Sequence, residues 1–391
     1  MTEQKRKPNM TPHQLILAFI YFFVLLVILP VFCSDKIYSL FYQEDPLRNQ
    51  EIEVVKREHR RQGVKEYLGE TDEFESLAFH RTLLRENLDH LIVIIAKKPE
   101  YEEDKVLSQL VTEVDRNIRS QRLYRNALVI CNASRSPFEE LRMLSRRYPV
   151  IEALNSTKWK LVNKEEAIRH DFMDCVGLGR SVAQFNHLTV IRDVVVPYPG
   201  FLETLNQILH LRIDYGTVRG ELRARGTPWL FLHLHEPVPF RQYQVSWESL
   251  WELLMLALSG GLLFHLIFRY LEGPTLQTGL RVTYTLYGAL YFVTFAVVVG
   301  RPYITELRRY AAGLFRIYDP LEPVHFSAVT LPFNILQSLL TQLSMTKCSI
   351  YSPFHEALDH MVNTLECPGF VLSPSLVSYA VRTPTPPPPV S

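Results

Sequence analysis

The sequence lacks any charge imbalance: 42 Lys and Arg face 41 Asp and Glu, for a formal net charge of +1. It therefore has no electrostatic footprint for nucleic acid, and no nucleic-acid partner is expected. Cysteine is scarce, 5 in 391 residues, too few for a disulfide scaffold. No G-x-G-x-x-G or G-x-x-x-x-G-K-[ST] loop occurs, and neither a G-x-S-x-G elbow nor an H-E-x-x-H pair is present. Nucleotide hydrolases, serine hydrolases and zinc proteases of those kinds lack their parts here. With 47% hydrophobic and 21% charged residues, the chain is a folding one. Its length allows one large domain or two ordinary ones.

The mean hydropathy of −0.01 hides a segregation, because charge is missing from three windows. The first, 11–34, is long enough to span a bilayer. Lys5, Arg6 and Lys7 precede it and Asp35 follows, which puts the N-terminus in the cytosol. A cleaved signal peptide is the alternative, but the apolar run is long and no small-residue cleavage site follows Pro30. The other windows, 253–268 and 282–300, flank Arg269, Glu272, a Gly273-Pro274 turn signal and Arg281. They predict a membrane hairpin with Trp247 and Trp251 at one interface. Two buried core helices are the alternative, given Glu252 and His265. Three crossings leave the remaining segments on one lumenal side. The sequons Asn132-Ala-Ser134 and Asn155-Ser-Thr157 fall there as candidate glycosylation sites, although Asn9-Met-Thr11 also matches and should be cytosolic.

Between the first window and the hairpin, strand and helix patterns alternate. Runs at 91–96, 127–131, 188–191 and 229–232 read as buried strands. Helical spacing covers 102–119, 137–147, 165–183 and 199–211, after a charged helical stem from 58 to 84. This predicts an α/β fold with a mostly parallel sheet. Ligands of such sheets sit beyond the C-terminal strand ends. The residues there are Lys97 and Lys98, Asn132, Arg192 and Asp193, and 233–236.

Lys164-Glu-Glu-Ala-Ile-Arg-His-Asp-Phe-Met-Asp-Cys175 and Leu188-Thr-Val-Ile-Arg-Asp-Val-Val-Val-Pro197 resemble the Golgi GPI-glycan N-acetylgalactosamine transferase family. That family carries Glu-Lys-x-Asp-Tyr-x-x-Cys on a helix, then a hydrophobic strand entering Glu-Asp-Asp. The layout is also similar: an N-terminal anchor and a lumenal GT-A-like domain interrupted by a membrane hairpin. The resemblance implies a Golgi hexosaminyltransferase moving GalNAc from UDP-GalNAc to the first mannose of GPI anchors. Its partners would be GPI-anchored proteins and membrane lipid. The implied divisions are a cytosolic tail at 1–12, an anchor at 13–33 and a stem at 34–88. The donor-side part follows at 89–249. Spans at 250–270 and 282–300 enclose a cytosolic turn at 271–281. The acceptor-side part is 301–381, and a Pro-rich tail is 382–391.

The family's Glu-Asp-Asp is met by Arg192-Asp193-Val194, so one carboxylate remains. In Phe370-Val-Leu-Ser-Pro-Ser-Leu-Val-Ser-Tyr-Ala-Val381 the family's histidine position holds Tyr379. Asp193 is the expected catalytic residue, with Lys97, Lys98, Arg192 and Asp171 toward the donor. Asp193 and His235 are the candidate ligands of a Mn²⁺. Three readings stand open: an active enzyme with cations on the diphosphate, a degenerate relative acting as a GPI-protein binding or escort factor, or polar residues merely ending a strand. His233 and His235 alternate on one sheet face and with Glu236 could hold a metal, or could simply edge a strand. His170, Asp171 and Asp174 could equally be a solvated helix face. Cys131, Cys175, Cys348 and Cys367 allow up to two disulfides, and Cys348 with Cys367 would close a short loop.

Overall fold

A computed structural model describes residues 12–34, 39–42, 46–98, 106–121, 123–134, 138–153, 163–214, 228–235, 243, 247–272, 278–310, 315–318, 327–349 and 351–379. Asn9, Asn155, Glu236, the Gly273-Pro274 turn and the Pro-rich tail lie outside them. The chain divides into two units. One comprises Met1–Glu53 with Val238–Leu307, the other Val54–Pro237 with Arg308–Ser391.

Among the described residues, the first unit holds three helices long and apolar enough to cross a membrane: Leu15–Cys33, Ser249–Tyr270 and Val282–Val299. The first changes winding along its length. Pro12–Phe23 is α-helical, Val24–Ile28 is a π-turn and Leu29–Cys33 resumes the α-helix. Pro30 has no N–H and its ring crowds the carbonyl one turn back, so the wider turn accommodates it. Leu29 and Cys33 pack on Val298 and Val299, and the Tyr21 hydroxyl donates to Thr294 Oγ1 at 2.9 Å. The helices Trp247–Glu272 and Thr278–Val299 approach backbone to backbone. A Cβ on Gly288 would lie 2.5 Å from the Gly260 carbonyl, so only glycine fits this crossing. Glu252, at the edge of an apolar window, is matched by Arg301 through paired bonds of 2.9 and 3.0 Å. A buried carboxylate is tolerated here because it is paired.

The second unit is built on an eight-stranded sheet. Its strands are β1 (Asn87–Ala96), β2 (Asn126–Asn132), β3 (Val150–Glu152), β4 (Gln184–Arg192), β6 (Phe231–His233), β7 (Arg316–Tyr318), β8 (Ala328–Pro332) and β9 (Gly369–Ser373). A separate pair joins β5 (Val195–Pro197) to β10 (Val377–Tyr379). The large sheet runs β3-β2-β1-β4-β8-β6-β9-β7. Pairing is parallel among β3, β2, β1 and β4 and between β6 and β9, whereas β8 and β7 are antiparallel to their neighbours. The strand expected at 229–232 is shifted to β6, Phe231–His233, and β3, β5 and β7 to β10 were not expected.

Strand β1 shows why the sheet is sandwiched. Leu91, Val93 and Ile95 face a layer containing Phe172, Val176, Leu336 and Phe354. Ile92 and Ile94 face Leu110, Val114, Phe201 and Leu205. An unbroken apolar run is what a doubly covered strand requires. The helical segment foreseen at 58–84 is two helices, Pro46–Glu70 and Glu73–Leu83. Asp72 caps the second, accepting the Phe74 and Glu75 N–H groups at 2.8 and 3.0 Å.

These helices are held to the sheet layer by a buried polar hub. The Asp115 carboxylate accepts from Tyr67 and Tyr148 hydroxyls, His80 Nε2 and Arg119 Nε, all at 3.0 Å. Burial opposes its ionisation, but His80, Arg119 and Tyr148 outweigh burial and hold the pKa below the usual carboxylate value. Asp115→Asn keeps the shape and removes the charge. It is expected to cost about 3 kcal/mol or more in a urea melt, the effect of breaking a buried charged network. The hub's stabilisation is complete above the unfolded carboxyl pKa of about 3.9 and is lost as pH falls through the lowered folded value. The variant's deficit should therefore shrink in acid. A deficit independent of pH would count against the charge as its source.

Candidate active site at the strand ends

Parallel pairing of β1 with β4 sets Ile95 opposite Arg192. The chain leaves both strands at the same edge, so Lys97 and Asp193 emerge side by side. The Lys97 N–H donates to Asp193 Oδ2 at 2.9 Å, and the Lys97 ammonium reaches Asp171 Oδ2, also at 2.9 Å. Asp171 belongs to the helix Lys164–Val182. One turn further along, Cys175 is joined to Cys131 near the end of β2, which pins that helix to the sheet. The outcome is a small cleft lined by Ile95, Lys97, Ile168, Asp171, Arg192 and Asp193.

Its electrostatics follow from two cations, two carboxylates and an apolar floor. Burial pushes the Asp193 carboxyl up to about 6; the Lys97 N–H and the Arg192 guanidinium favour the charged form and offset part of the rise. Glu140, buried in the first turn after Phe138, adds to the upward push. Sequence reasoning missed Glu140, since only the fold brings it toward Asp193. Val194 is 37% exposed and offers hydrocarbon.

The other candidates are placed differently. Lys98 gives its N–H to Ser134 Oγ at 2.6 Å and does not line the cleft. His235 is buried just past β6, and β8 separates β6 from β4. The cleft does not include it. His233 packs on Phe231 with ring centroids 4.7 Å apart. Burial, then the neighbouring His235 and His355, lower its pKa to about 3, so it is neutral at physiological pH. His170 is tied to Glu166 at 3.2 Å. Tyr379 pairs with Val195, two residues past Asp193, so the C-terminal segment does return to this corner.

Asn132, the first candidate sequon in the lumenal segments, ends β2. Its side chain is buried; Nδ2 donates to Glu152 Oε2 at 2.7 Å and Oδ1 accepts the Ser134 N–H at 3.0 Å. These bonds close a turn after β2. Of the up to two disulfides that the sequence allows with pairs unassigned, one is formed among the described residues. Cys131 pairs with Cys175, while Cys348 and Cys367 are free and buried.

The resemblance implies a divalent cation, and the cleft does not suit one. Two of its polar side chains are cations, and each carboxylate already accepts an N–H of Lys97. Among the described residues no group of three His, Cys, Asp or Glu could hold a metal ion.

A family model described as GPI-N-acetylgalactosamine transferase PGAP4 matches residues 90–378. No curated protein matches the chain. Among the solved structures, the chain is similar to a nucleotide-diphospho-sugar transferase from Desulfovibrio desulfuricans G20. Identity is 14%, with 32% of this chain and 55% of that one covered, at a TM-score of 0.20. This chain thus spans about half the length of that structure, a similarity too slight to carry further argument.

The disulfide closes 44 residues, for which chain entropy gives about 4 kcal/mol. The double variant Cys131→Ser/Cys175→Ser is expected to lose stability of that order. Unreduced peptide mapping should recover Cys131 and Cys175 as one cross-linked pair. Recovery of a Cys348–Cys367 pair in its place would contradict this arrangement.

Proposed function

The chain belongs to the GPI-N-acetylgalactosamine transferase PGAP4 family, and from that membership we propose that it transfers GalNAc from UDP-GalNAc to the first mannose of a GPI anchor. The bond from the anomeric carbon to the diphosphate oxygen breaks, and its electron pair leaves on UDP. A mannose hydroxyl oxygen bonds to that carbon and its proton passes to solvent. The observation that carries this reading is the convergence of Lys97, Asp171, Arg192 and Asp193 on one cleft at the C-terminal ends of β1 and β4. Cations there stabilise the charge that grows on the leaving diphosphate. Asp193 is the residue positioned to accept hydroxyls of the donor sugar and fix its orientation.

We place the protein in the Golgi membrane, N-terminus cytosolic and residues 34–249 and 301–391 lumenal. Lys5, Arg6 and Lys7 before the first span support that orientation. So does the Cys131–Cys175 bond, which an oxidising lumen favours. Both segments of the second unit are joined in sequence to membrane spans, which suits an acceptor that is itself a membrane glycolipid, carried by GPI-anchored proteins. Asn155 remains the sequon proposed to carry a glycan.

Purified full-length protein in detergent, given UDP-GalNAc and a GPI-bearing acceptor, is expected to transfer the sugar. Asp193→Ala should lower kcat/KM by ~100-fold, the scale of a lost orienting contact. Folded protein that gives no transfer with or without added metal would overturn the enzymatic reading and leave the binding or escort role.

A further inference from the structure

A metal-bridged donor site needs several oxygen ligands and a net negative pocket: Mg²⁺ is six-coordinate and binds through carboxylates, phosphates and water. The cleft between β1, β4 and the Lys164–Val182 helix offers the opposite. Lys97 and Arg192 balance Asp171 and Asp193, so the lining side chains sum to zero charge. Asp193 Oδ2 is held by the Lys97 N–H and Asp171 Oδ2 by the Lys97 ammonium. Arg192 cannot deprotonate or ligate, so it would repel an incoming ion. The next acidic position of the family triplet is the half-exposed Val194.

With Lys97 held against Asp171 the cleft encloses only about 10 Å³, so a diphosphate enters once the Lys97 ammonium swings out, and the same cations then suit it. A guanidinium presents a planar fork that matches two phosphate oxygens at once. The Lys97 side chain is 49% exposed, so its ammonium can swing, and its bond to Asp171 uses one of three donors. Ile95 and Ile168 form the apolar floor, and a drier floor strengthens charge pairing.

We infer that this cleft binds the diphosphate of a nucleoside-diphosphate sugar without a divalent cation, Arg192 and Lys97 supplying the positive charge. The inference rests on the transferase reading and specifies how its donor is held.

The test is calorimetric binding of UDP to the full chain in detergent, in excess EDTA and again with Mn²⁺. The Kd is expected to be the same in both. Arg192→Ala and Lys97→Ala should each weaken UDP by ~10- to 100-fold, the scale of a lost charged hydrogen bond. Arg192→Lys, which keeps charge but not the fork, should lose less. Thermal melting of each variant shows whether it is folded, and the chelator arm needs no variant at all. UDP binding that EDTA abolishes and Mn²⁺ restores would overturn the inference while leaving the transferase reading intact. Chelator-resistant binding indifferent to both substitutions in folded protein would also overturn it. Absence of UDP binding in every condition would overturn the inference and the transferase reading together.

Discussion

The pairing of Ile95 with Arg192 is the constraint from which the second unit's chemistry follows. It sets the parallel register of β1 and β4, and that register is not free to slip. Leu91, Val93 and Ile95 are buried in one layer and Ile92 and Ile94 in the other. Shifting β1 by one residue would exchange the two sets between layers already filled by Phe172 and Val176 on one side and Leu110 and Val114 on the other. The positions of Lys97 and Asp193 are thus decided by hydrocarbon packing two residues away from either charge. The bond between the Lys97 N–H and Asp193 closes a geometry that the core has already imposed.

That bond also gives Asp193 a structural task in the fold. Asp193 satisfies a backbone donor at the mouth of the sheet, and losing it would leave that N–H to find another partner. Val194 is partly open to solvent, where a change from carboxylate to hydrocarbon costs the fold little. Arg192 sits at the strand end, half-buried, with Asp193 and Asp171 nearby to balance its charge. A basic residue at this position is therefore compatible with the same backbone.

The parts of the fold visible in sequence are those governed by local pattern. The β-branched runs at 91–96 and 127–131 match β1 and β2 because strands buried on both faces need them. The three uncharged windows match the three apolar helices. Lys97, Arg192 and Asp193 were visible because a parallel sheet opens at its strand ends, and Asp171 entered through the family's helix motif. What remained hidden depends on contacts between distant segments. Strand β8 is short and antiparallel and takes its place only between β4 and β6. The Asp115 hub draws on residues 67, 80, 119 and 148, and no local spacing announces it. A sequon is three residues long, whereas the exposure of Asn132 is set by Glu152 on the neighbouring strand. The cysteine pairing was hidden for the same reason: Cys131 and Cys175 meet because a helix folds over β2, not because their separation is short.

The backbone and the chemistry of the cleft are set by different residues in this chain. Positions such as Val93, Val129, Val190 and Phe172 are each fully buried, where most substitutions leave a cavity or a clash. Those positions transmit the backbone and the location of the cleft. The lining of the cleft is only partly buried, so its side chains can change sign at small cost in stability. Under the proposed reading a sugar nucleotide presents its diphosphate at that location, and the electrostatic requirement is positive charge beside it. The requirement does not specify whether an ion or a side chain supplies it. A bound ion needs a surplus of carboxylate around it. Arg192 and Val194 supply no such carboxylates, and in the proposed reading the guanidinium is the positive charge.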